Sequence, residues 1–304
     1  MKLTKNEFDI LTYIEKHGAA KYTQKDLADT FGCSVGLINK ELNNLIDNNI
    51  LSKDNRVIRV TKDGLNCLEQ YRVKKAIILA AGFSERLAPV TLETPKPLVM
   101  VNGVRLIDTL IDALIAAEIK DITVVVGYKA EQFGVLLGKY PGIKLVKNDL
   151  YNKSGNITSL FAARDQMESC YICDADMYVH TPSVINKYEY QSCFLGVPVS
   201  GTDDWMFVKN KNAVIKQFGI GGDRCCKTVF IAHLNNEDAK AYQKTLENLV
   251  NARGGKEHRW FDGLFDKKYD YTIHSREIFA DDVAEVDTLD DLIKLDSSYL
   301  KYNI

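Results

Sequence analysis

The stretch from Lys75 to Gly103, KAIILAAGFSERLAPVTLETPKPLVMVNG, constrains the fold more than any other part of the 304-residue chain. It opens on a short apolar run, Ala76 to Leu79, with the length and composition of a strand buried in a parallel sheet. The run stops at Ala80-Ala81-Gly82. Small side chains at a strand's carboxyl end let a bulky group lie against the backbone, and Gly82 is free to take φ values closed to other residues. In an open α/β sheet that edge is where ligands bind. Two cations follow, Arg86 and Lys96, and Pro95 and Pro97 stiffen the loop that presents the Lys96 ammonium. A small-residue loop with two placed cations meets the needs of a triphosphate.

Around this stretch the pattern alternates. Leu106 to Ala117 reads as an amphipathic helix, Ile122 to Val126 as a strand, and Glu131 to Leu137 as a helix. Ile143–Val146 is a strand, Asn156 to Met167 helical, and Ser169 to Cys173 a strand running into Asp174-Ala175-Asp176. Repeated β-α units of this size predict a parallel sheet with helices on both faces. Beyond residue 190 the expected strands are short and mixed: Cys193–Pro198, Trp205–Lys209, Val214–Gly219 and Cys226–His233. A long helix, Asn236–Ala252, and a last one, Leu289–Leu295, close the chain. Carboxylates just past an apolar strand, as at Asp174 and Asp176, are poor structural choices and good ligands for magnesium, which prefers hard oxygens shared with phosphates. Glu285-Val286-Asp287 is a second acidic point of the same kind.

Residues 1–72 read as a separate module. Thr4, Thr23 and Ser34 sit at helix starts, Leu37, Ile38, Leu42, Leu45 and Ile46 face inward on the third helix, and Ile50 to Val60 reads as a hairpin turning at Asp54-Asn55. Thr61 starts a fourth helix ending near Tyr71. The order resembles a winged helix-turn-helix of the MarR-like kind. Eleven Lys/Arg stand against ten Asp/Glu here, and the third helix carries only Lys40 as a cation. Phosphate contacts supply most affinity for DNA, so a regulatory or interaction module is the favoured reading and nucleic-acid binding the weakly supported one.

Composition limits the remaining classes. A net charge of −2 argues against a general polyanion binder, and the N-terminus MKLTKNEFDI lacks the apolar core of a signal peptide. Seven scattered cysteines read as reduced thiols in a cytoplasm, and nothing approaches a membrane span. Cys170-x-x-Cys173 and Cys225-Cys226 read as packing, without a second pair or a histidine cluster.

The pattern L-A-A-G-x-x-x-R-L-x-P-x-T at Leu79–Thr91, with T-P-K-P-L at Thr94–Leu98, resembles the signature of nucleotidyltransferases that join an NTP to a phosphorylated small molecule. Neither a Walker loop nor a dinucleotide fingerprint is present. Ser84 stands where many members of that family have glycine. The resemblance implies an α/β fold: a Rossmann-like nucleotidyltransferase domain, residues 73–304, with a mixed, mainly parallel sheet, preceded by the small winged-helix domain. It implies Mg²⁺ held by Asp176 and Asp287, one aspartate from each acidic point, with Arg86 and Lys96 as the catalytic cations. The nucleotide is expected against Leu79, Ala80, Ala81, Gly82 and Tyr128, with Asn156 and Ser159 in reach; a helix N-cap is an equal reading of Asn156.

Asp203-Asp204-Trp205 and Arg259-Trp260-Phe261-Asp262 hold both tryptophans beside acids. Tryptophan faces with a carboxylate suit a quaternary ammonium, and these segments resemble parts of the bacterial CTP:phosphocholine cytidylyltransferases. That resemblance implies CTP and phosphocholine, or a similar phosphorylated amine, as substrates, with Trp205, Trp260, Phe261 and Asp262 around the acceptor. Where that family shows Tyr-Trp-Asp, this chain reads Trp260-Phe261-Asp262. Core packing is an equal reading of either tryptophan alone. Phosphoethanolamine, 2-aminoethylphosphonate and sugar phosphates stay open as acceptors, as do a homo-oligomeric state and a nucleotide-sensing transcriptional regulator.

Overall fold

The computed structural model describes residues 2–153 and 155–302. The chain divides into two compact units, the first running up to Arg72 and including Tyr188–Tyr190, the second taking the rest.

In the first unit, α1 (Lys5–His17), α2 (Gln24–Phe31) and α3 (Val35–Asp47) are followed by the hairpin β1 (Leu51–Asp54) and β2 (Val57–Val60) and by α4 (Lys62–Leu68). Each helix starts on a hydroxyl cap: Thr4, Thr23, Ser34 and Thr61 accept from the backbone N–H three residues on. The hairpin turns at Asn55-Arg56, one residue later than expected. Both residues take positive φ (47° and 72°), which matches the twist of the flanking strands. Tyr190 stacks on Tyr71 at 5.5 Å and its hydroxyl donates to the Leu3 carbonyl, so a segment distant in sequence completes this core.

The second unit is built on a seven-stranded sheet. In chain order its elements are β3 (Lys75–Ala80), α5 (Val90–Glu93), β4 (Met100–Val101), β5 (Val104–Arg105), α6 (Leu106–Ala116), β6 (Asp121–Val126), α7 (Gly134–Lys139), β7 (Lys144–Lys147), α8 (Ile157–Ala162), β8 (Cys170–Asp174) and β9 (Met177–Val179). Then come β10 (Cys193–Lys209), β11 (Ile215–Leu234), α9 (Asn236–Asn251), α10 (Asp262–Phe265), β12 (His274–Glu277), β13 (Val283–Glu285) and α11 (Leu289–Leu295). The sheet order is β12-β10-β11-β8-β3-β6-β7. Its β10–β11 and β11–β8 pairs are antiparallel and the others parallel, giving a mixed, mainly parallel sheet.

Alternation along β3 sorts the core into two layers. Ala76, Ile78 and Ala80 pack with α6 and α7 on one face; Ile77 and Leu79 pack with α8 and α9 on the other. Four short strands were expected after residue 190. They are instead two long antiparallel strands, broken by register shifts around Thr202 to Trp205, with Gly219, Gly221 and Gly222 inside the second. The bulges interrupt the period-two pattern, so one strand reads as two.

A smaller core sits under the signature loop. Leu87, Val99 and Val101 pack with Leu106, Val286 and Leu292. Leu87 and Val286 are fully buried, which pins their neighbours Arg86 and Asp287 to one region. Among the described residues no helix is long and apolar enough to cross a membrane.

Candidate active site

The carboxyl ends of β3 and β8 lie side by side, Leu79 in register with Asp174. Between them opens a pocket of about 150 Å³ lined by Leu79, Ala80, Ala81, Gly82, Lys96, Asn156, Ser159, Asp174 and Asp176, with Ser84, Pro97 and Ala175. Gly82 does not use the unusual φ values open to glycine. A Cβ there meets no protein atom within 4 Å, so it would project into open space beside the pocket. The left-handed residue of the loop is Ser84, at φ 58° and ψ 58°, where glycine is the strain-free choice. The Thr91 hydroxyl donates to the Ser84 carbonyl and holds it there.

Tyr128 is placed differently from expectation. Its backbone N–H donates to Ala81, but its hydroxyl donates to the Thr91 carbonyl and its ring packs on Phe83, so it braces the loop and does not line the pocket. Gly127 beside it admits no side chain: a Cβ would fall 2.6 Å from Tyr151 Cβ and 2.8 Å from the Ala81 carbonyl.

At the mouth of the pocket four distant side chains meet. Lys96, buried, donates to Asp287 Oδ1 at 2.9 Å and Asp176 Oδ2 at 3.3 Å; Arg86, exposed, pairs with Asp287 Oδ2 at 2.9 Å. Burial opposes the charge of Lys96, but Asp176 and Asp287 outweigh it and hold its pKa above the ordinary value. The two aspartates come together because β13 pairs with β9 and the Val286 N–H donates to the Asp176 carbonyl. Asp287 is not the helix cap it could have been, since Thr288 caps α11.

Glu285 completes an acidic triad with Asp176 and Asp287, one carboxylate oxygen of each lying within 4.8 Å of the others. Burial, then the charges of Asp176 and Asp287, push the Glu285 carboxyl up to about 7. Asp176 Oδ1 is buried with no hydrogen-bond partner. A buried carboxylate oxygen left unmet beside two further carboxylates fits a hard divalent cation.

The acceptor end departs most from expectation. Trp260 is fully buried and does not wall an open cage, whereas Phe261, itself almost fully buried, lines a separate cleft. Trp260 stacks on Phe194 at 5.6 Å, its indole N–H donates to Asp174 Oδ1 at 3.0 Å, and its backbone N–H donates to Asn156 Oδ1. Asn156 holds the N-cap position of α8, but its side chain clasps Trp260 and makes no capping hydrogen bond. Burial, then repulsion from Asp176, pushes the Asp174 carboxyl well above the usual range against the help of the Trp260 N–H. Trp205 is half-buried against Phe218 and Phe261, and the Arg259 guanidinium already covers its ring at 4.5 Å. Asp262 accepts from the Arg259 N–H and pairs with His258. Trp205, Phe261 and Asp262, three of the four residues expected around the acceptor, share that cleft with Phe218, His258 and Phe265.

Asp204 is engaged on the other side. Its Oδ2 lies 2.9 Å from Lys227 Nζ, which stands 3.6 Å from Glu285 Oε2. Burial opposes ionisation of Asp204, but Lys227, the Trp205 N–H and Arg86 outweigh it and hold the carboxyl below its usual range.

The chain is similar to several known proteins. The model of the MobA-like NTP transferase domain matches residues 76–192. A 2-aminoethylphosphonate cytidylyltransferase of Lancefieldella rimae is 36% identical over 230 residues, spanning 74% of this chain and 93% of that one. The chain belongs to the cytidylyltransferase family. A choline-phosphate cytidylyltransferase of Streptococcus pneumoniae is 30% identical over 225 residues, 73% of this chain and 96% of its own length. The solved CTP:phosphocholine cytidylyltransferase of that organism superposes with a TM-score of 0.69 at 29% identity, covering 75% of this chain and 99% of its own. The inositol-1-phosphate CTP transferase of T. maritima shares the fold, with a TM-score of 0.61 at 18% identity, over 75% of this chain and 94% of its own.

Three groups at this candidate site were not assigned a role from the sequence. Asp174 had been set aside in favour of Asp176, and Glu285 was seen only as part of an acidic point. Lys227 lies in a strand with no local signal. Its relevance comes from the pairing of β10 with β11, which brings it to Asp204.

Proposed function

We propose that this cytidylyltransferase moves CMP from CTP to a small phosphonate or phosphate bearing a primary ammonium, 2-aminoethylphosphonate foremost, and releases pyrophosphate. The observation that carries the acceptor is the state of the aromatic residues. Trp260 is buried and the Trp205 face is taken by Arg259, so both tryptophan faces that a trimethylammonium would use are engaged. A primary ammonium needs carboxylate acceptors instead, and Asp204 and Glu285 supply them. The similarity to a relative named for 2-aminoethylphosphonate supports the same choice.

The chemistry needs no general base, because a phosphate or phosphonate is largely dianionic near neutral pH. Its oxygen attacks the α-phosphorus of CTP, a P–O bond forms, and the bond to the β-phosphate breaks with pyrophosphate as leaving group. Arg86 trades Asp287 for the β- and γ-phosphates, and Lys96 moves its ammonium onto the α-phosphate and the incoming oxygen. Leu79 to Gly82, Asn156 and Ser159 form the nucleotide's bed. Asp176 and Asp287, with Glu285 in reach, would hold Mg²⁺, which when bound neutralises phosphate charge. Residues 1–72 are assigned to a winged helix-turn-helix that serves as a regulatory or interaction module, given its near-neutral charge.

Pyrophosphate release measured for four NTPs against 2-aminoethylphosphonate, phosphoethanolamine, phosphocholine and glucose 1-phosphate tests the proposal. The expected maximum is CTP with 2-aminoethylphosphonate. A clear preference for phosphocholine would overturn the acceptor reading and restore the aromatic cage.

A further inference from the structure

We propose that Lys227 and Asp204 together read the two charges of the acceptor: Lys227 takes its phosphonate or phosphate, and Asp204 takes its ammonium. The inference rests on the cytidylyl transfer proposed above and names the residues that select the acceptor.

The cations of the signature loop are already assigned by position. Arg86 and Lys96 both lie on Asp287, and Lys96 also on Asp176. An incoming dianion must approach the same three carboxylates, Asp176, Glu285 and Asp287, and needs a cation of its own to do so. Lys227 is placed for this. It comes from β11, on a different part of the sheet from the signature loop, and its ammonium touches the triad only at Glu285, 3.6 Å away. Its other contact, Asp204 at 2.9 Å, comes from the neighbouring strand β10 and is not a member of the triad.

The pair also has a form that stability does not explain. Both side chains keep more than a third of their surface exposed, 38% for Lys227 and 39% for Asp204. Ion pairs this open to water contribute little to folding. They are well suited to partner exchange. A zwitterion with an ammonium two carbons from a phosphonate carries the same two charges as the pair itself. When it enters, its phosphonate replaces Asp204 on Lys227 and its ammonium replaces Lys227 on Asp204, so no charge is left unpaired. A trimethylammonium has no N–H to give Asp204 and loses the second half of this exchange. Asp204 and Trp205 are adjacent yet serve opposite sides, Asp204 toward Lys227 and Trp205 into the Phe218–Phe261 cluster. Selection by carboxylate and selection by aromatic face are thereby separated.

The test is steady-state pyrophosphate release by the full chain with Mg·CTP and either 2-aminoethylphosphonate or ethylphosphonate, which lacks the amine. Lys227→Met is expected to raise KM for both acceptors by about tenfold or more, with KM for CTP within about twofold, as loss of one charge-assisted contact to the acceptor alone predicts. Asp204→Asn leaves Lys227 beside Glu285 and is expected to collapse the preference for the amine-bearing acceptor by about tenfold, while ethylphosphonate turnover holds. A merely structural pair would instead lower kcat with every substrate, CTP included. Wild-type turnover of 2-aminoethylphosphonate with both variants keeping wild-type acceptor KM and preference would overturn the role of the pair alone. No turnover of any aminoalkyl phosphonate or phosphate by the wild type would overturn the underlying reading and the pair's role with it.

Discussion

Glu285 is the residue whose charge the site controls most visibly. Its carboxyl sits at about 7 instead of 4.5, from burial first and then from Asp176 and Asp287. A carboxyl whose pKa rises on folding favours the folded state while it is protonated. That contribution is complete below 4.5 and lost as pH climbs through about 7. In metal-free buffer the wild type should therefore lose denaturant stability relative to Glu285→Gln across that window, and Mg²⁺ should restore it at the upper end by binding the ionised form. Parallel stability curves for the two proteins would contradict this. At the same scale, Arg86, Lys96 and Asp176 were legible because a contiguous motif carries each. Ser84 was legible only as a departure from glycine. Its left-handed φ of 58° depends on how the loop closes over Thr91, which spacing does not reveal.

Among the elements, the loop that carries Trp260 joins the ends of β8 and α8. The indole N–H satisfies Asp174 and the backbone N–H satisfies Asn156, two groups that line the pocket at the end of β3. Trp260→Phe keeps a ring against Phe194 but strips the donor from an enclosed carboxyl. It should cost about 1–3 kcal/mol of stability and lower kcat/KM for CTP as Asp174 and Asn156 relax. A variant that melts and turns over like wild type would show that the clasp is incidental. The sequence left this element open between core packing and acceptor contact for a physical reason. A tryptophan in a run with an arginine and an acid looks exposed in sequence, and partners such as Phe194 and Asp174, contributed by other strands, help to bury it. Apolar strands such as β3, β6 and β8 were readable because both of their faces are buried. The long β10 and β11 were not, since bulges and glycines break their alternation.

For the molecule as a whole, the account depends on convergence across great sequence distance. Lys96 reaches an aspartate 80 residues on and another 191 residues on. The parallel sheet supplies the first contact by setting β3 beside β8; the β9–β13 pair and the small core around Leu87 and Val286 supply the second. β-α alternation foretold the sheet, and the motif foretold the loop. The acceptor end depended on which strand meets which, and so only the cations and aspartates nearest the motif could be named in advance. The most direct measurement is the rate of pyrophosphate release from Mg·CTP and 2-aminoethylphosphonate by Lys96→Ala and Asp176→Ala, each checked for an unaltered fold. The account predicts a loss of about 10²-fold or more in each, the usual effect of removing one preorganised electrostatic group. Turnover within a few-fold of wild type in either variant would contradict the claim that these side chains act together on one nucleotide.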